Sequence, residues 1–167
     1  MDFLSPPYAN TRLLCEILGQ QLVARHWHVA TAESCTGGAL AASITQIAGS
    51  SAWFECGVVS YANHIKQKLL QVNTETLATY GAVSEAVVIQ MAKGVLELSD
   101  ADIAIAISGV AGPSGGSTGK PVGTVWFAWA VRNGEVRTQV LYFSGDRLHI
   151  QHQAVEQGLQ GLLTFFD

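Results

Sequence analysis

The chain has 167 residues, 49% of them hydrophobic, which is enough to bury the core of one domain. Only 13% of its residues are charged and the net charge is −4, a balance that argues against a broad phosphate-binding surface and so against DNA or RNA as a partner. Low charge together with a mean hydropathy of +0.26 points to apolar surface covered in a homo-oligomer, most simply a dimer.

In chain order, "MDFLSPPYANTR" carries an acid at position 2 and none of the basic-then-apolar pattern of a secretion signal. Thr11 to Arg25 places Leu13, Leu14, Ile17, Leu18 and Leu22 at helical spacing. "HVATAE" reads as a short strand and "TGGALAASITQIAG" as a helix packed closely through small residues. "WFECGVVSYA" predicts a buried strand, and "NHIKQKLLQV" a short helix behind an Asn cap. Ser84 and Glu85 open a further helix to Leu98, with Val87, Val88, Met91 and Val95 as its apolar stripe. "ADIAIAISG" is the clearest strand and empties into the glycine-rich "VAGPSGGSTGKP". "GTVWFAWAV" and "EVRTQVLYF" are two more strands, joined through Asn133-Gly134 as a two-residue hairpin. Asp146 starts a last helix that runs to Phe166.

The order αβαβααβββα predicts one three-layer α/β/α domain over residues 1–167, with a mixed parallel and antiparallel sheet. Its site is expected where strand ends meet glycine-rich loops. No run is apolar enough to span a membrane: Gly, Pro, Ser and Lys120 break the longest candidate, Ile103 to Trp129. Cys15, Cys35 and Cys56 have no metal-site spacing and fit the reduced thiols of a cytoplasmic protein.

"TAESCTGGALAAS" crowds an acid, two hydroxyls and a thiol against two glycines. One reading makes Ser34 a nucleophile at a strand-to-helix junction, where free backbone N–H groups hold an oxyanion. The other makes Ser34 or Thr36 a helix cap and Gly37-Gly38 a packing device. Cys35 is a rival nucleophile. A serine needs a base, and the candidates are His26, His28, His64, His149, His152 and the lysines, with Lys66 following the strand that ends at Tyr61. A lysine serves when a dry site depresses its pKa; otherwise Lys66 is a solvated helix residue like Lys68. "GGSTGKP" fails as a Walker motif, since Ser114 and Pro121 stand at required positions, and "STGK" sits in a loop that Gly119 and Pro121 keep from being helical. His149 and His152 lack a third ligand of clear spacing.

"AESCTGG", "SYANHIKQKLL", "GAVSE", "ISGVAGPSGGSTGKPVGTVWFA" and "SGDR" together resemble the CinA C-terminal domain family, from about Thr31 to Arg147. The resemblance implies hydrolysis of the carboxamide of nicotinamide mononucleotide to nicotinate mononucleotide and ammonia, with no metal or organic cofactor. It implies Ser34 as nucleophile, Lys66 as base and Tyr61 as a hydroxyl near the dyad. Cys35, Thr36, Gly37 and Gly38 fall on the turn beside the nucleophile. Gly109, Gly112, Gly115, Gly116 and Arg147 fall on parts that line the nucleotide pocket. The larger N-terminal domain of full CinA proteins has no counterpart here, so pyrophosphatase activity is not expected. Two positions depart from the family pattern. Cys56 stands where Arg is usual, which is expected to remove a guanidinium beside the substrate phosphate; it sustains a second reading, a catalytically weak member that binds a nucleotide as a sensor. His64 stands where the family more often has an acid, which is expected to disfavour the protonated form of Lys66.

Overall fold

In "IAIAISG" every second side chain is an isoleucine and the others are small, so one face of the strand is bulky and the other nearly flat. The computed structural model describes residues 6–167. Its strands β1 (Val29–Glu33), β2 (Phe54–Val59), β3 (Ile103–Gly109), β4 (Thr124–Val131) and β5 (Val136–Tyr142) form one sheet in the order β2-β1-β3-β4-β5. β1 pairs parallel with β2 and β3, while β4 pairs antiparallel with β3 and β5.

The bulky face, with Ile103, Ile105, Ile107, Phe127 and Trp129, is covered by helices α1 (Pro6–Arg25), α2 (Ala39–Thr45) and α6 (Arg147–Leu163). On the flat face Ala30, Ala32, Ala104, Ala106, Ala128 and Ala130 form a floor for helices α3 (Asn63–Leu70), α4 (Thr74–Tyr80) and α5 (Glu85–Leu98). Alanine on one face lets α5 lie close to the strands and bury Val88, Met91 and Val95 against them. α5 is pressed equally hard from outside, because a Cβ at Gly94 collides with the backbone of Leu70 at the end of α3. Gly94→Ala should therefore cost about 2 kcal/mol or more despite its better helix propensity, read as a lowered thermal midpoint; an unchanged midpoint would mean that α3 and α5 part without penalty.

The expected three-layer architecture with a mixed sheet is present, with several local differences. α1 starts earlier than Thr11, and the signal-peptide reading of "MDFLSPPYANTR" falls partly on residues 1–5, outside the described ones. β2 is an edge strand with alternating exposure and not a doubly buried one. Asn63 is the first residue of α3 and not its cap, since Ala62 holds the cap position without a side-chain bond. α4 was not expected; Asn73 caps it by accepting from the Glu75 N–H at 2.7 Å. The β4–β5 connection is longer than a two-residue turn, because Val131 N–H donates to Glu135 C=O and leaves Arg132, Asn133 and Gly134 outside the ladder. Arg132 is held there by donating to the carbonyls of Leu96 and Ser99 at the end of α5. Among the described residues no helix is long and apolar enough to cross a membrane.

β1 lies between β2 and β3, so the chain leaves it first toward one edge and later returns on its other side. The carboxyl ends of β1, β2 and β3 thus open a crevice at a switch in winding direction, where open α/β sheets bind ligands.

Candidate active site

Ser34 follows the last residue of β1 and is anchored there, its N–H donating 2.9 Å to the carbonyl of Ile107 on β3. The chain then turns through Gly37 (φ 61°) and Gly38 (φ 98°), left-handed conformations that glycine adopts without penalty. That turn delays α2 to Ala39, so the expected helix from Thr36 is shorter. Neither Ser34 nor Thr36 caps it: Gly38 occupies the cap position, and the buried Thr36 hydroxyl has no partner among the described residues. The cap is Glu33. Its buried carboxylate accepts from the amides of Gly38 (3.1 Å), Leu40 (3.1 Å) and Ala41 (2.9 Å). This arrangement frees Ser34 from a structural duty and fixes the backbone on both sides of it.

Lys66, on the second turn of α3, is 1% exposed. The solvated reading of this residue is therefore overturned. Its Nζ lies 3.0 Å from Ser34 Oγ, 2.7 Å from the Ser60 carbonyl and 3.2 Å from the Tyr61 carbonyl. Burial lowers its pKa from 10.5 to about 8, because water no longer solvates the ammonium. The two carbonyls only accept, so they hold the two hydrogens of the neutral amine and leave its lone pair for the Ser34 hydroxyl. Cys35 is 4% exposed, and burial above all pushes its thiol up to about 12. It is no thiolate at neutral pH and a poor rival to Ser34.

Arg147, the first residue of α6, spans the mouth of the site. Its guanidinium donates to the Gly112 carbonyl and to the Tyr61 hydroxyl, both at 2.8 Å, with no carboxylate among these partners. The Tyr61 hydroxyl accepts from Arg147 and the Tyr61 main-chain carbonyl from Lys66, and the residue lines the same cavity as Ser34 and Lys66.

Ser34, Cys35, Tyr61, Lys66, Gly109 and Arg147 line one cavity of about 210 Å³, together with Asn63, Ala82, Val83, Ser108 and Ala111, which the sequence reading did not single out. Thr36, Gly37 and Gly38 form the turn behind Ser34 and do not line it, and Gly112 reaches it through the carbonyl that holds Arg147. Gly115 and Gly116 are exposed and off its wall. A larger depression of about 680 Å³ beside α4 and α5 shares only Val83 with the cavity and contains neither Ser34 nor Lys66.

No histidine lines the cavity. His28 approaches Asp102, His149 pairs with Asp146, His152 contacts Thr11 and Glu156, and His26 and His64 are exposed. His64 stands two positions before Lys66, so its side chain leaves α3 on another face. Cys56 sits within β2 opposite Ala30, packed against the alanine floor, and is not among the residues that line this cavity. Among the described residues no group of three or more His, Cys, Asp and Glu gathers as a metal site.

Residues 12–166 match the model of the CinA C-terminal domain. The chain belongs to the CinA C-terminal domain family. The family match extends beyond the Thr31–Arg147 span of the motifs and takes in most of α1 and the whole of α6. Within the family, the nicotinamide-nucleotide amidohydrolase PncC of Escherichia coli K12 is 56% identical over 153 residues, covering 92% of this chain and 93% of that protein. A CinA-like protein of Akkermansia muciniphila is 49% identical, with 90% of this chain matched to 35% of its length. Among solved structures, the competence/damage inducible protein CihA from Agrobacterium tumefaciens superposes with a TM-score of 0.93 at 41% identity, covering 95% of this chain and 97% of that one.

Proposed function

We propose that the protein is an amidohydrolase that converts nicotinamide mononucleotide to nicotinate mononucleotide and ammonia through a Ser34–Lys66 dyad. The observation that carries this reading is a desolvated lysine, 3.0 Å from a serine hydroxyl, with its other hydrogens fixed on two carbonyls. The substrate class follows from similarity to proteins named for that activity.

Neutral Lys66 takes the Ser34 proton as Oγ attacks the carboxamide carbon, forming the C–O bond and a tetrahedral oxyanion. The amides of Cys35 and Thr36, in the turn after the nucleophile, are engaged by no backbone carbonyl of a described residue, which leaves them free to serve as oxyanion donors. Lys66 then passes its proton to the nitrogen, the C–N bond breaks, and ammonia leaves a Ser34 ester. Water, deprotonated by Lys66, attacks the ester; the carboxylate departs and the proton returns to Ser34.

Among the described residues the Arg147 guanidinium is held by a carbonyl and a phenol and by no carboxylate, a setting suited to grip the phosphate of a mononucleotide. Arg147→Ala should raise KM about tenfold or more and lower kcat less, because the phosphate is bound alike in ground and transition states. An unchanged KM in a folded variant would take Arg147 out of the binding site. The direct assay is ammonia release by the purified protein from nicotinamide mononucleotide beside related amides. Retained ligand binding without ammonia release would overturn the reading.

A further inference from the structure

Ser108 lines the cavity one residue before the end of β3, is 1% exposed, and has no part in the mechanism above. Its position relative to Ser34 follows from the sheet. Glu33 is in register with Ile107, and the Ser34 N–H donates to the Ile107 carbonyl, so Ser34 and Ser108 leave adjacent strands at the same level. Side chains alternate along a strand. Ile103, Ile105 and Ile107 point into the bulky core while Ala104 and Ala106 point to α5, which sends Ser108 to the α5 side, where Ala30 and Ala32 also send Ser34.

The chemistry of the Ser108 hydroxyl is constrained by its partner. Oγ donates its only proton to the Ala82 carbonyl at 2.9 Å, and a carbonyl can only accept, so toward the cavity Ser108 offers lone pairs and no donor. A group that satisfies it must bring an N–H or O–H. This matters because the other polar side chains of the wall include Arg147 and Lys66, and Arg147, joined by Lys66 whenever that amine is protonated, by itself favours a carboxylate over a neutral carboxamide.

We infer that Ser108 is a specificity-determining residue, accepting an N–H of the scissile carboxamide and disfavouring the product carboxylate. The inference rests on the amidase reading. A carboxamide and a carboxylate have nearly the same shape and differ at one atom, a donor nitrogen in the first and an accepting oxygen in the second. Opposite a hydroxyl whose proton is committed, the nitrogen is paired and the oxygen meets lone pair to lone pair in a desolvated site. Sites that pair a buried polar group discriminate strongly against the analogue that leaves it unpaired. The same contrast speeds release of the product that Lys66 and Arg147 attract.

The test compares two constants in the wild type and in Ser108→Ala: KM for nicotinamide mononucleotide, and the inhibition constant for nicotinate mononucleotide. The variant should raise the first about tenfold and leave the second unchanged or lower, so that their ratio moves about tenfold toward the acid. Ser108→Cys, with a weak donor for Ala82 and a weak acceptor for the ligand, should move the ratio the same way by less; it serves if the alanine variant does not fold. Equal weakening of amide and acid in a folded variant, or no change in either, would overturn the assignment and leave the amidase reading intact. Absence of ammonia release by the wild type would overturn both.

Discussion

Ser34→Ala should reduce ammonia release by at least about 10³-fold, while Cys35→Ala, one residue away, should keep most of it. The two neighbours differ in what surrounds them. Ser34 Oγ has a desolvated amine at 3.0 Å to receive its proton, whereas the Cys35 thiol is pushed up to about 12 by burial. Stability separates catalysis from structure in the same experiment. If Ser34 were a helix cap, its loss would cost roughly 1 kcal/mol or more and spare turnover. Because Glu33 caps α2 through three amides, Ser34→Ala removes only an acceptor of Lys66, and the thermal midpoint should fall by no more than a few degrees. Wild-type turnover in the Ser34 variant, or its loss in the Cys35 variant alone, would transfer the nucleophile to the thiol.

How much of this was legible in the sequence differs from element to element, for physical reasons. Alternation within "IAIAISG" encodes a strand with unlike faces, and the start of the helix from Glu85 to Leu98 was legible because Ser84 is a local cap that bonds the Val87 N–H. The edge position of β2 was not legible, since it depends on the route by which the chain crosses from β2 to β3, and no local pattern encodes that route. α4 escaped because its seven residues bury little beyond Leu77. At the site, Ser34 and Lys66 could be proposed as chemistry but their proximity could not. A lysine on a short helix reads as solvated, and only the tertiary packing that brings it against Ser34 and the carbonyls of Ser60 and Tyr61 takes it out of water. Glu33 was passed over because it bonds amides five to eight residues ahead, through a turn that requires two left-handed glycines. Gly115 and Gly116 were expected at the pocket because glycine-rich loops often cradle anions; here Gly109, Ala111 and the Gly112 carbonyl reach the site, and the rest of the loop faces solvent.

The pH dependence of kcat/KM should report Lys66 directly. The base must be neutral to accept the Ser34 proton, so activity rises with pH while Lys66 is being deprotonated and levels once it is neutral. With its pKa lowered to about 8, about a tenth of the enzyme is competent at pH 7, and activity should rise close to tenfold per unit below that before flattening above pH 8. A lysine at its usual value near 10.5 would still be climbing at pH 9.5, with about three molecules in ten thousand competent at pH 7. Lys66→Ala should lose at least about 10³-fold. So should Lys66→Arg, because a guanidinium stays protonated at any working pH and cannot serve as base. The double variant Ser34→Ala, Lys66→Ala should be scarcely worse than either single one, since each removes the same proton-coupled attack and losses within such a unit do not add. A profile flat from pH 6 to 9, or a double variant showing the product of the two single losses, would separate Lys66 from Ser34. In that case the 3.0 Å contact between Lys66 and Ser34 would be a packing contact and no more.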